Sequence, residues 1–165
     1  MMKLLPLLLV LFITACGFSP MYGKHSSAQN SDVRSALNQI SIDVIPDREG
    51  QYLRNALMDR FYAGGIPSNP AFRLQIDKIQ ESVADFDITI ESEATRRQLH
   101  LSTKMRLIDS QTQKILLERS LSAITSHNVL ESEFSTIVTE QSAREAALND
   151  LSRQTERQLA LYFAK

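Results

Sequence analysis

A change of period most constrains how this chain folds. Between Leu99 and Leu107 apolar residues fall at alternate positions, Leu99, Leu101, Met105 and Leu107 with Thr103 in phase. From about Phe134 to Phe163 the spacing becomes helical, with Val138, Gln141, Glu145, Leu148, Leu151, Thr155, Leu159 and Tyr162 along one broad stripe. A strand of period two buries one face. A helix of that length runs roughly 40 Å at ~1.5 Å per residue, enough to lie across a whole four-stranded sheet.

The earlier part of the chain supplies the other strands. Ile40, Ile42 and Val44 alternate with Ser41 and Asp43 up to Pro46. Asp47 is then the expected N-cap of a helix carrying Leu53, Ala56, Leu57 and Phe61 on one face, stopped by Gly64-Gly65 and Pro67. Phe72, Leu74 and Ile76 mark a second strand. The phase slips between Ile76 and Ile79, and again before Phe86, which predicts a bulge or a bend. After the strand through Leu107, Asp109-Ser110-Gln111-Thr112 forms a polar turn into a last strand at Ile115, Leu117, Arg119, Leu121 and Ala123. The order βαβββα implies an α+β two-layer sandwich, a four-stranded mainly antiparallel sheet with two helices on one face. Its other face is left for solvent or a partner.

The N-terminus is a separate matter. Lys3 precedes the mostly apolar run Leu4 to Ile13, too short to span a membrane and interrupted by Pro6. The run closes on Ile13-Thr14-Ala15-Cys16-Gly17, the pattern of a bacterial lipoprotein cleavage site, and Cys16 is the chain's single cysteine. Residues 1–15 are therefore expected to be a lipoprotein signal peptide, with Cys16 acylated on its sulfur and amine. Residues 16–37, polar and without helix or strand period, are expected to be the lipid-anchored tether, and 38–165 the folded domain. Acylation also removes a thiol that would be reactive in an oxidising compartment.

Charge and motifs narrow the function. Eighteen basic and 19 acidic residues give a net charge of -1, which does not suggest bulk nucleic-acid binding. His25 falls in the tether, His100 in a strand and His127 in a loop; there is no Gly-x-Ser-x-Gly elbow and no metal-ligand spacing. Asp85 with Asp87 reads as solvated surface, and Gly64-Gly65 as a helix stop. No enzyme, cofactor or metal centre is expected.

One feature rises above this background. Asp77, Glu81, Asp85, Asp87, Glu91 and Glu93 oppose only Lys78 in residues 77–93, whereas Arg96, Arg97, Lys104 and Arg106 oppose no acid in residues 94–108. Alternation puts Arg96, His100, Lys104 and Arg106 on the face away from the core. Two readings stand side by side. The cations either pair across the hairpin with Asp85, Asp87 and Glu91, or they are free to grip phosphate or carboxylate ligands through guanidinium forks.

Four stretches carry a resemblance. Cys16-Gly17-Phe18-Ser19-Pro20-Met21-Tyr22-Gly23, Ile45-Pro46-Asp47-Arg48 leading into Leu53-Arg54-Asn55-Ala56-Leu57, Ala94-Thr95-Arg96, and Ala143-Arg144-Glu145-Ala146-Ala147 resemble the alphaproteobacterial form of the lipopolysaccharide-assembly lipoprotein family LptE. The resemblance implies two helices over a four-stranded sheet and a non-enzymatic role at the periplasmic side of the outer membrane. It implies a complex with the β-barrel protein LptD, as a plug in its lumen, that assists barrel assembly and delivery of lipopolysaccharide to the outer leaflet. It marks Cys16 for lipidation and Arg96 for lipopolysaccharide; Arg97, Lys104 and Arg106 join it on charge and position alone. Gly17 lacks the aspartate that retains enterobacterial lipoproteins in the inner membrane. A different class of function is a periplasmic adaptor lipoprotein that binds a protein partner only.

Overall fold

The computed structural model describes residues 25–62, 64–88, 94–129 and 132–164. Cys16, the apolar run before it and the motif up to Gly23 lie outside the described residues. The chain from Asp32 onward is one compact unit; of the unit ending at Ser31, only the helical stretch from His25 is described. The elements are α1 (His25–Leu37), β1 (Ile40–Ile42), α2 (Asp47–Phe61), β2 (Phe72–Ile76), β3 (Gln80–Ile88), β4 (Ala94–Asp109), β5 (Ile115–Asn128) and α3 (Glu133–Phe163).

The sheet is organised on β4. β5 pairs with it from Arg96 to Ile108, so β2 and β3 share its other side, both antiparallel. β1 adds at the edge of β2 in parallel, with Ile40 opposite Phe72. Ile76 faces Met105 and Gln80 faces Ser102, so residues 77–79 oppose only 103 and 104. The first slip in phase is thus a β-bulge, and five strands occupy four lateral places; the second, expected before Phe86, is not a bulge, since β3 keeps one register on β4 from Gln80 through Phe86. At the bulge the Asp77 amide donates to Lys104 O at 2.9 Å, and Thr103 Oγ1 donates to Asp77 O at 2.8 Å. The extra residue keeps both segments facing inward, Leu74 and Ile76 at even positions and Ile79 at an odd one. The turn after β4 is also as expected: the Asp109 carboxylate accepts from the amides of Gln111 (2.9 Å) and Thr112 (2.7 Å).

α2 and α3 cover one face of the sheet. Leu53, Leu57 and Phe61 of α2 and Leu148, Leu151 and Leu159 of α3 join Ile40, Leu74, Leu101, Met105 and Leu107 in a single core. Three details depart from expectation. Residues 25–37 are helical although their polar composition shows no period; Val33 and Leu37, one turn apart, join the core. Asp47 does not cap α2: it stands in the left-handed region (φ 66°), which Asp tolerates, and its carboxylate meets Lys78 Nζ at 2.8 Å. In α3 the buried side is as expected from Leu148 on. In its first turns Ala143 and Ala147 are buried, while Val138 is exposed and Gln141 and Glu145 are half-buried.

Two contacts fix the helices. α2 approaches the chain before it so closely that a Cβ on Gly50 would stand 2.7 Å from Ile45 Cγ2 and 2.8 Å from the Ile45 carbonyl. α3 is held to β3 by Arg144, whose guanidinium donates to both Glu81 oxygens at 2.8 and 3.0 Å and to Glu140 Oε1 at 2.8 Å.

Gly50→Ala is expected to destabilise the domain by about 1–3 kcal/mol through overpacking, read as a lower midpoint in urea; an unchanged midpoint refutes the close approach. The Arg144 guanidinium holds the Glu81 carboxyl below the usual glutamate range, against an opposing push from burial. A lowered folded value means that the stabilisation is whole above the unfolded value of about 4.3 and is lost as pH falls through the folded one. The stability gap between the native chain and Glu81→Gln is therefore constant near neutrality and closes below about pH 4. A gap of unchanged size at lower pH contradicts this.

Candidate functional site

The charged row lies on β4, and acids on the neighbouring strands decide how much of it is free. Arg106 points to the open face and is gripped from both sides. Its two terminal nitrogens each donate at 2.9 Å to one oxygen of Asp77, and its Nε donates to Glu118 Oε2 at 3.0 Å. Both acids push the guanidinium's proton affinity further up, Asp77 more than Glu118. Lys104 Nζ lies 3.6 Å from Glu118. Arg97 and Asp85 are direct cross-strand partners, 3.0 Å apart.

Three of the cations are paired, but only one pair is the expected one: Asp85 takes Arg97, whereas Arg106 finds Asp77 and Glu118, and Lys104 finds Glu118, in place of Asp87 and Glu91. The side chains of Asp87 and Glu91 lie outside the described residues. Nor does the row form one cluster: Arg96 and Arg106 are ten residues apart along one strand, roughly 33 Å at ~3.3 Å per residue.

Arg96 stands apart. It is exposed, and no ion pair holds it among the described residues. With Thr125, His127, Thr139, Ser142 and Ala143 it lines a groove of about 580 Å³ between the end of β5 and the first turns of α3. Thr125 Oγ1 donates to Ala143 O at 3.0 Å and Thr139 Oγ1 to Asn128 O at 3.2 Å, which fixes the two walls. His127 is not in a loop as expected but on β5, opposite Arg97 and only 5% exposed, and among the described residues neither ring nitrogen has a hydrogen-bond partner. The signal for it was present. The alternation Leu121, Ala123 continues through Thr125 to His127, two pairs beyond where the strand was expected to stop.

Other chemistry finds little support in the geometry. The acids and lysines at the bulge are engaged with each other: Asp77 with Arg106, Lys78 with Asp47 and Lys104 with Glu118. Among the described residues no group of three His, Cys, Asp or Glu side chains is placed to hold a metal ion. No helix among them is long and apolar enough to cross a membrane.

Residues 37–161 match the family described as LptE: Lipopolysaccharide-assembly. The chain belongs to that family. LptE proteins are non-enzymatic lipopolysaccharide-assembly lipoproteins, and the fold agrees with solved lipoproteins at low identity. A lipoprotein from Caulobacter crescentus superposes with a TM-score of 0.65 at 20% identity, over 81% of this chain and 97% of the other. A minor lipoprotein from Acinetobacter baumannii gives 0.57 at 19%, over 74% and 90%. The rare lipoprotein B from Shewanella oneidensis gives 0.58 at 7%, over 74% and 93%. No curated protein matches the chain. Since family membership rests on residues 37–161, the LptE assignment does not depend on the Cys16–Gly23 stretch, one of the four that carry the resemblance.

Within this LptE domain Arg106 is a structural residue. Arg106→Met leaves Asp77 and Glu118 facing each other without their shared cation, so its thermal midpoint is expected to fall below those of the native chain and of Arg96→Ala. Equal midpoints for the two variants would refute the assignment.

Proposed function

We propose that this chain is an outer-membrane lipoprotein, anchored through acylated Cys16 on the periplasmic side, that forms a complex with the LptD β-barrel and plugs its lumen. There it assists barrel assembly and the delivery of lipopolysaccharide to the outer leaflet. The family match over most of the folded domain carries this reading. The surface chemistry is compatible with it. Barrel interiors are polar, and the open sheet face presents Gln75, Gln98, Ser102, Ser120 and Ser122, exposed or half-exposed and uncharged. At ~0.8 kcal/mol per buried methylene, several acyl chains on Cys16 hold the domain at its membrane.

Of the four cations we assign lipopolysaccharide contact to Arg96 and, beside it, Arg97. Arg96 is available as it stands, and Arg97 is held by a single exposed acid. Lys104 and Arg106 are engaged within the sheet. That engagement also favours the alternative, a periplasmic adaptor that binds protein only.

Two measurements separate the readings. Protein extracted from membranes in mild detergent is expected to bring down an outer-membrane barrel protein; recovery without one argues against the plug. The double variant Arg96→Ala, Arg97→Ala is expected to bind purified lipopolysaccharide roughly tenfold or more weakly, from the loss of charge-assisted hydrogen bonds of about 1.5–3 kcal/mol. Undiminished binding would leave the adaptor.

A further inference from the structure

The two helices over the sheet are unequal. α3 has 31 residues and α2 has 15, about 46 and 22 Å at ~1.5 Å per residue. α2 begins level with the bulge, where Asp47 meets Lys78. Its neighbours on α3 run from Gln141, Arg144 and Glu145, which share a groove with Arg48 and Tyr52, to Glu156, paired with Arg60 at 2.7 Å. Beyond Gln141, toward its N-terminus, α3 has no second helix beside it among the described residues. β3 is correspondingly bare, exposed from Glu81 through Asp85.

The uncovered part of α3 is not polar. Phe134, Ile137, Val138, Gln141, Glu145 and Leu148 follow at i, i+3, i+4, i+7, i+11 and i+14, along one side of the helix. The later members of this row meet α2. The first three continue the same side past the start of α2 and are 75%, 58% and 51% exposed. On β3, Val83 lies on the helix-bearing side of the sheet and is 49% exposed. This is a helix-packing surface with no helix on it.

Charge selects the occupant. Glu81, Asp85, Glu133, Glu140 and Glu145 surround this surface against Arg97 and Arg144, a balance of -3. A second copy would bring like charge against like charge, and an anionic lipid surface would be repelled. We infer that Phe134, Ile137, Val138 and Val83 form a docking site for a partner-protein segment that carries apolar anchors flanked by Lys or Arg. The segment takes the place over β3 that a longer α2 would fill. The inference rests on the proposed complex and names the surface that complex uses.

The test employs the full-length lipidated protein, with a photoreactive phenylalanine analogue at position 137 or, as a control on another exposed apolar site, at position 66, in cells that also express LptD. Cross-linked peptides are identified by mass spectrometry. Position 137 is expected to join a segment combining apolar residues with Lys or Arg, and position 66 is not. Ile137→Glu is expected to lower the co-purified barrel about tenfold or more, as for a buried anchor, whereas Ile137→Leu preserves it. Full recovery of the barrel with Ile137→Glu overturns the inference. So does a cross-link from position 137 to lipid, to a second copy or to residues 17–24 of the same chain. If the native protein recovers no barrel at all, the proposed complex fails. The surface is then decided by the cross-link alone: a basic and apolar segment of an identified protein upholds it, and any other product, or none, overturns it.

Discussion

The arrangement of this domain depends on one extra residue in the strand beside β4. In a ladder of period two, a shift by one residue sends every side chain to the opposite face. Ile76 and Ile79 are three apart and both are buried, which an unbroken strand cannot achieve. The bulge at 77–79 resolves that conflict, and the Thr103 hydroxyl satisfies the carbonyl of Asp77 that the disrupted ladder leaves over. It also sets the level at which α2 starts, through Asp47 and Lys78. Below the bulge the sheet carries two helices; above it, one.

Cross-strand acids convert much of the basic row from a ligand surface into framework. Asp77, in phase with Gln75 and so on the open face, reaches Arg106 from one side, and Glu118 closes the other. Surface ion pairs are individually worth about 0–1 kcal/mol, but a guanidinium bonded to two carboxylates cannot turn to a phosphate without giving up both, and Asp77 is then left without its cation. A ligand therefore meets less resistance at the other end of β4, where Arg96 has no such partners among the described residues. The groove beside it is walled by the last residues of β5 and the first turns of α3, where the cover over the sheet is thinnest.

Much of this was legible in the sequence, where apolar spacing alone decides the structure. The alternation through Leu99, Leu101, Met105 and Leu107 gave the central strand, the gap between Ile76 and Ile79 gave the bulge, and the Asp109 turn gave the hairpin. What was not legible depends on weak or distant signals. α1 is polar and without period, and its described anchors are Val33 and Leu37. In the first turns of α3 the buried side is marked by Ala143 and Ala147, whose small side chains weigh little against Val138. The partners of Arg106 come from Asp77 and Glu118, one on each neighbouring strand, so finding them requires the register on both sides at once. His127 was missed by ending the last strand two pairs early. The tether and Cys16 were read from motif alone.

The exposed Val138 and the buried Ala143 describe the same helix turns from opposite sides. Thr139, Ser142, Ala143 and Ala146 face the groove with Arg96 and His127, while Phe134, Ile137 and Val138 look away from it. The first turns of α3 are thus the shared wall of the two surfaces to which ligand and partner are assigned above. Arg144, the hydrogen bonds of Thr125 and Thr139, and the buried Ala143 and Ala147 hold that wall. Two occupants that favour different positions of one shared element are coupled: each binds with its affinity changed by the same factor when the other is bound. Were both proposed occupants bound, their contacts would meet at one helix end, without a continuous path through the core.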